Sequence, residues 1–417
     1  MIDPNVQTTV LANGLTVTTV DLPHLHTMSC ALFWKVGSRF ETPANNGLSH
    51  FVEHMLFRGT AKHRSSQAIV EAAEVYGSEI DAETGPDLTV LRTDCLPGHL
   101  PLALDLLAQI AIHPRFDHIE LERALVLAEL GGDFEGGVEM VASDIARGLL
   151  FKGHPLGQRI LGPKKNIRRF TTKDVRRHFQ TYYGAANACL CVAGPVDHDG
   201  VVRWANLEFL EMPRGRRAEC VPVAPTPPRK TFAKKHVMTS DNDNVEVVMA
   251  IRGVAEYDRR YPAQLVLRHL LDKALHYQLA DQEGILYSIH VDMEPLADTS
   301  VLDITTEVAL KDIPYVLHTI AATMKCQHRV LERMRARTNM SVAQALDSPH
   351  AMVERFGGSA LYIDPIPLSV RLEQMARVTA ADVYALAWDL LTPERVAVAA
   401  VGGRRSPNSE LKLEITA

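Results

Sequence analysis

Apolar and polar residues alternate along residues 8–20, and Asn13-Gly14 interrupts the alternation. Two short strands joined by a turn are predicted there. Residues 30–36 form the run Cys-Ala-Leu-Phe-Trp-Lys-Val, which reads as a more deeply buried strand. A stretch rich in turn formers, residues 37–46, follows. A helical period then opens near Asn45 or Asn46, either of which can cap a helix, and Phe51, Met55 and Leu56 fill its apolar side. Another helix is expected from Ser65 or Ser66 to Tyr76, where Gly77 ends it. Strands are expected over 78–84 and 88–94. Helices should then pass through Leu102, Leu106, Leu107 and Ile110, over 119–130, over 138–151, and onward from Thr171. A strand over 188–193 ends at Gly194.

The pattern then repeats. Asp174, in Thr-Thr-Lys-Asp-Val, lies 20 positions before Gly194, and Asp382, in Thr-Ala-Ala-Asp-Val, lies 20 before Gly402. The strand at 30–36 has a counterpart at 247–253. The expected fold is therefore α+β, with two homologous halves, each a mostly antiparallel β-sheet with helices packed on one face. The halves are residues 1–212 and 231–417. Residues 213–230, with five prolines, form an extended and exposed linker between them. The helix at 262–274 matches the one near Asn46, and His269 within it reads as a lone structural histidine.

Composition narrows the function. A chain of 417 residues is long for a single core. Its net charge of -6 argues against a nucleic-acid partner. No segment approaches the roughly 18 consecutive apolar residues of a membrane span. Residues 1–5 carry no basic stretch followed by an apolar core, so no signal peptide is expected. Six scattered cysteines read as reduced thiols, and the expected location is cytoplasmic.

The chemistry centres on His50-Phe51-Val52-Glu53-His54. On a helix, residues three and four apart share a face, so both imidazoles can bind one zinc ion while Glu53 stands beside them. The order is the inverse of H-E-x-x-H. A chance grouping on a helix face is the alternative. A catalytic zinc usually takes a third protein ligand. Glu129 is the candidate, because it follows Leu125, Val126, Leu127 and Ala128 and a metal would relieve the cost of a carboxylate in apolar surroundings. Glu122, seven residues earlier, reads on its own as part of a solvated helix face.

Residues 47–60, Gly-Leu-Ser-His-Phe-Val-Glu-His-Met-Leu-Phe-Arg-Gly-Thr, resemble the zinc segment of the pitrilysin/insulinase family of metallopeptidases, most closely its mitochondrial-processing-peptidase branch. Glu129 stands 75 residues after His54, as that family's glutamate ligand does, and His154-Pro155-Leu156-Gly157, Leu161-Gly162 and residues 193–197 match further segments. The resemblance implies zinc on His50, His54 and Glu129, with Glu53 as the general base that activates a water at the metal. It implies a supporting role for Glu122, and an edge strand at 77–84 to which peptide substrate adds, with Asp81 and Ala82 in contact with it. The family usually has Asn where Asp81 stands, and the added charge there would either favour cationic substrate residues or simply be tolerated.

In the second half, family members carry an Arg seven residues before a Tyr, and both contact the substrate or the developing oxyanion. Tyr287 supplies the Tyr, but Ala280 occupies the Arg position. The chain thus looks like the zinc-binding subunit of a heterodimeric bacterial member, a zinc endopeptidase acting on unfolded peptides. A homologous partner subunit would supply the Arg/Tyr pair. The alternative is a non-catalytic structural or peptide-binding member of the same fold.

Overall fold

A computed structural model of the chain describes residues 3–132, 141–224, 233–237, 244–325 and 331–403. The chain opens with β1 (Asn5–Val10), β2 (Thr16–Asp21), β3 (Met28–Trp34), α1 (Leu48–Leu56), α2 (Ser66–Glu74), β4 (Ile80–Thr84) and β5 (Thr89–Cys95). It continues through α3 (Leu100–Ile112), α4 (Ile119–Gly132), α5 (Ala142–Leu150), the single turn α6 (Lys164–Ile167), α7 (Thr172–Tyr182), β6 (Ala188–Gly194) and α8 (His198–Glu208). The second half holds β7 (Ala233–Val237), β8 (Asn244–Arg252), α9 (Tyr261–Leu275), β9 (Ile289–Pro295), β10 (Ser300–Ala309) and α10 (Ile313–Lys325). It ends with α11 (Leu331–Ala345), α12 (Pro349–Val353), α13 (Leu368–Ala376), α14 (Ala380–Leu390) and β11 (Val396–Gly402). Of the helix expected over 138–151, residues 138–140 lie outside the described residues. Among the described residues no helix is long and apolar enough to cross a membrane.

The fold is α+β with two homologous halves. The first sheet has the order β1-β2-β6-β3-β5-β4, antiparallel except for the parallel β2–β6 pair. The second has the order β7-β11-β8-β10-β9, antiparallel except for the parallel β7–β11 pair. Among the described residues it matches the first sheet without β1. The register repeats as well: Trp34 lies opposite Ala188 and Thr89, and Ile251 lies opposite Val396 and Leu302. The repeated Thr-x-x-Asp signals are both capping boxes. Thr171 with Asp174 opens α7, and Thr379 with Asp382 opens α14.

The chain forms two compact units of interleaved segments. One comprises Met1–Leu130, Arg159–Val221 and Val342–Ser369, the other Gly131–Gln158, Pro222–Ser341 and Val370–Ala417. Each sheet therefore receives a helical segment from a distant part of the chain, in addition to the helices expected on one face. In the first unit, β3 is buried along its whole length. Cys30, Leu32 and Trp34 pack under α1 and α3, while Ala31 and Phe33 pack against Met352, Val353 and Phe356. A strand covered on both faces favours apolar residues on both, hence the run from Cys30 to Trp34. In the second unit, Ala142, Ile145 and Ala146 of α5 cover Val248 and Ala250 of β8 and Ala397 and Ala399 of β11.

Residues 213–221 of the proline-rich segment are held by contacts to the first half. Ala218 and Val223 are buried, the Ala218 N–H donates to Asn187 Oδ1 at 2.9 Å, and Arg39 Nε donates to the Val221 carbonyl at 3.1 Å. Residues 225–230 of the expected linker lie outside the described residues. Cys30, Cys95, Cys189 and Cys191 are free thiols, and Cys326 lies outside the described residues.

The start of α1 differs from the sequence expectation. Neither Asn45 nor Asn46 caps it; the cap residue is Gly47, at φ 95°. Asn45 Oδ1 is taken by the Thr42 backbone, and Asn46 Nδ2 donates to Glu41 and to the Arg159 carbonyl. The capping oxygens come from Glu41, which is 3% exposed and accepts from Gly47 N at 2.7 Å and Ser49 N at 2.6 Å. A negative charge at this end also suits the helix dipole. Gly47 meets Gly162 here, where an added Cβ on Gly162 would lie 2.6 Å from Gly47 Cα. Glu41→Ala leaves these amides buried and unpaired, and should lower stability by about 3 kcal/mol in urea denaturation. Glu41→Gln, which keeps one acceptor oxygen, should lose less.

Candidate metal centre

The spacing along α1 places the His50 and His54 rings with centroids 4.6 Å apart. The ligand atoms of His50, Glu53 and His54 all lie within 4.8 Å of one another. Glu129, from α4, reaches both imidazoles: its carboxylate oxygens lie 3.7 Å from His50 Nε2 and 3.4 Å from His54 Nε2. A tetrahedral zinc with bonds of roughly 2.0–2.1 Å separates adjacent donors by about 3.3 Å. The Glu129 carboxylate already stands near that spacing from each imidazole nitrogen. Glu53 shares the cluster, yet among the described contacts it makes no ion pair with either histidine, which distinguishes it from Glu129.

His54 is oriented from behind. Its Nδ1 lies 3.0 Å from Glu122 Oε1, and the second Glu122 oxygen accepts from Arg58 Nε. A carboxylate on Nδ1 fixes the tautomer that leaves the Nε2 lone pair free for a metal. Glu122 is only 2% exposed, so it is not on the solvated face that its own neighbourhood suggested. Glu129, expected in apolar surroundings, has a side chain 42% exposed. Arg58 lies two residues past the end of α1, where the turn after Phe57 brings it to Glu122. His50 Nδ1 is buried and has no hydrogen-bond partner.

The electrostatics suit a cation site. Burial, with a contribution from His54, lowers His50 to about 4, so its imidazole is neutral and carries a free lone pair. Burial works to lower His54 as well, but hydrogen bonds to Glu122 and Glu129 reverse this and raise it to about 9. Without a metal, a protonated His54 directs its Nδ1–H to Glu122 and its Nε2–H to Glu129. Burial opposes ionisation of Glu122, yet His54 and Arg58 hold it below the usual carboxylate range. The His54 hydrogen bond does the same for Glu129. Burial raises Glu53, although the charge of His54 works against the rise. Two neutral-capable imidazoles, a carboxylate at tetrahedral spacing and a buried acceptor behind one ring fit a zinc ion.

β4, which pairs only with β5, is the edge of the first sheet, and α1 packs against it. Ile80 and Ala82 turn towards the core that includes Phe51 and Val52. Asp81 and Glu83 project from the other side of the strand, where Arg92 Nη2 donates to Asp81 at 2.9 Å and Arg92 Nη1 lies 3.4 Å from Glu83 and 3.2 Å from Glu354. The charge added by Asp81 is therefore paired with Arg92. Tyr287 is 96% exposed and lies ahead of β9, and Ala280 lies in the helical turns His276–Gln282; both belong to the second compact unit.

Residues 16–164 match the family model described as insulinase (peptidase family M16), and residues 169–326 match the peptidase M16 inactive domain. A probable mitochondrial-processing peptidase subunit beta of Schizosaccharomyces pombe is 27% identical, over 96% of this chain and 92% of its own. An uncharacterized zinc protease of Streptomyces coelicolor is 26% identical, over 93% of this chain and 87% of its own. Among solved structures, a protease from Helicobacter pylori has the same fold, with a TM-score of 0.87 at 18% identity, over 96% of this chain and 100% of its own. With both family models matched in order along the chain, and with relatives that span it, the chain belongs to the insulinase family, peptidase family M16.

Proposed function

We propose that this chain is the zinc-binding subunit of a heterodimeric endopeptidase that hydrolyses unfolded peptides. The observation that carries the reading is the convergence of His50 and His54 on one carboxylate, Glu129, 3.7 and 3.4 Å from their Nε2 atoms, with Glu53 beside them. Zinc held by these three residues would supply Lewis-acid polarisation of a peptide carbonyl and acidify a water.

The remaining steps belong to the chain's own groups. Glu53 takes a proton from the attacking water and returns it to the leaving amine. Its burial moves its pKa upward, towards the range where one group can both accept and donate a proton. Glu122 keeps His54 in the ligating tautomer and is itself held by Arg58. The exposed edge of β4 offers backbone groups to an extended peptide, so many sequences are held in one conformation. Ala82 lies on the side of that strand facing α1.

The partner is proposed on two grounds: relatives named as beta subunits of mitochondrial-processing peptidases, and Ala280 where an Arg is expected. An oxyanion donor is worth roughly 2.7–4 kcal/mol, or 10²–10³ in rate. The isolated chain should therefore turn over an unfolded peptide about that much more slowly than a mixture with a homologous chain carrying the Arg/Tyr pair. Full turnover by the isolated chain would remove the case for a partner.

Metal analysis should find one zinc per chain, lost in His50→Ala. Chelation should abolish hydrolysis and added zinc restore it. Glu122→Ala should weaken zinc affinity by about 10–100-fold. Glu53→Gln should retain zinc while hydrolysis falls by about 10²–10⁴. Zinc-independent hydrolysis would contradict the assignment.

A further inference from the structure

The duplication allows the two edge strands to be compared residue by residue. Thr84 lies opposite Thr89, which lies opposite Trp34, and Met293 lies opposite Leu302, which lies opposite Ile251. Because Trp34 and Ile251 are equivalent, Thr84 matches Met293, and Ala82 matches Val291. Burial along the helices aligns in the same way. The pattern from Leu48 to Phe57 follows that from Ala263 to Asp272, which sets Leu265 against His50, Arg268 against Glu53 and His269 against His54.

The two edges are not equivalent in chemistry. Among the described residues, no side chain bonds to a backbone group of β4. On β9, Arg268 Nε donates to the Val291 carbonyl at 2.9 Å, and its Nη2 lies 3.6 Å from Asp292 Oδ1. Where the first half holds a carboxylate beside a bare edge, the second half holds a guanidinium bonded to the edge. A strand adding to β9 would have to displace this charge-assisted bond and the side chain that makes it.

We infer that Arg268 closes β9 to strand addition, so that of the two homologous edges only β4 accepts an extended peptide. The inference rests on the reading of β4 as the substrate edge. A peptide on β9 would lie beside Leu265, Arg268 and His269, a set without the second imidazole and the carboxylate of the metal centre. Closing that edge prevents unproductive binding, as edge-blocking charges do in other sheets.

The test measures peptide stoichiometry by calorimetry on the full zinc-loaded chain in a Glu53→Gln background, which prevents turnover. The probe is a dye-labelled unstructured peptide of about ten residues, the length of a long strand. One peptide per chain is expected for Glu53→Gln alone, and two after adding Arg268→Ala or Arg268→Met; the methionine keeps the apolar stem packed should alanine unfold the helix. Adding Val291→Pro to the Arg268 variant, which removes a ladder donor, should abolish the gained site. In the wild-type background Arg268→Met should leave the rate of hydrolysis unchanged. A single site persisting in both Arg268 variants, or two sites already present in Glu53→Gln, overturns the inference. No binding by Glu53→Gln alone would instead count against β4 as the substrate edge, and a site then gained with Arg268→Met would still support the closure of β9.

Discussion

The metal centre depends on where α1 begins, and a buried carboxylate sets that point. Glu41 accepts from Gly47 N and Ser49 N, and so fixes the first turn of the helix that carries His50, Glu53 and His54. The cost of burying that charge is offset by two backbone amides and the Asn46 amide. The same turn is held by Ser49, whose hydroxyl lies 3.0 Å from His178 Nε2 on α7. The far end of the helix is held by a second buried carboxylate, Glu122, between His54 and Arg58. A helix pinned at both ends in this way can keep two imidazoles within a fraction of an ångström of a shared ion.

Duplication followed by divergence accounts for much of the rest. Both halves retain the strand order, the register and the capping box ahead of the last strand. What differs is the face of the equivalent helix. His50, Glu53 and His54 stand in one half, and Leu265, Arg268 and His269 in the other. Scaffold positions tolerate such change because the apolar side of each helix packs regardless of what the polar side carries.

The scaffold was readable because its signals are local. The unbroken run in β3, Asn13-Gly14 between β1 and β2, and the two Thr-x-x-Asp boxes each specify an element within a few residues. The spacing of His50, Glu53 and His54 is also local, since one helix turn relates all three. The partners were harder. Glu41 caps α1 from within a turn-rich loop whose conformation no period encodes, which is why Asn45 and Asn46 looked like the caps. Glu122 seemed solvated because its neighbours Leu121 and Arg123 say nothing about the histidine and arginine it meets, 68 and 64 residues away. Asp81 meets Arg92 only across the strand pair, a contact that its own neighbourhood in the sequence does not record. Contacts between segments distant along the chain decide these roles, and hydrophobic periodicity does not record them.

X-ray absorption at the zinc edge of the metal-loaded chain tests the central claim most directly. Two imidazole nitrogens and one or two oxygens at roughly 2.0–2.2 Å are expected. A sulfur ligand near 2.3 Å, or a single imidazole, would contradict the assignment of His50, His54 and Glu129.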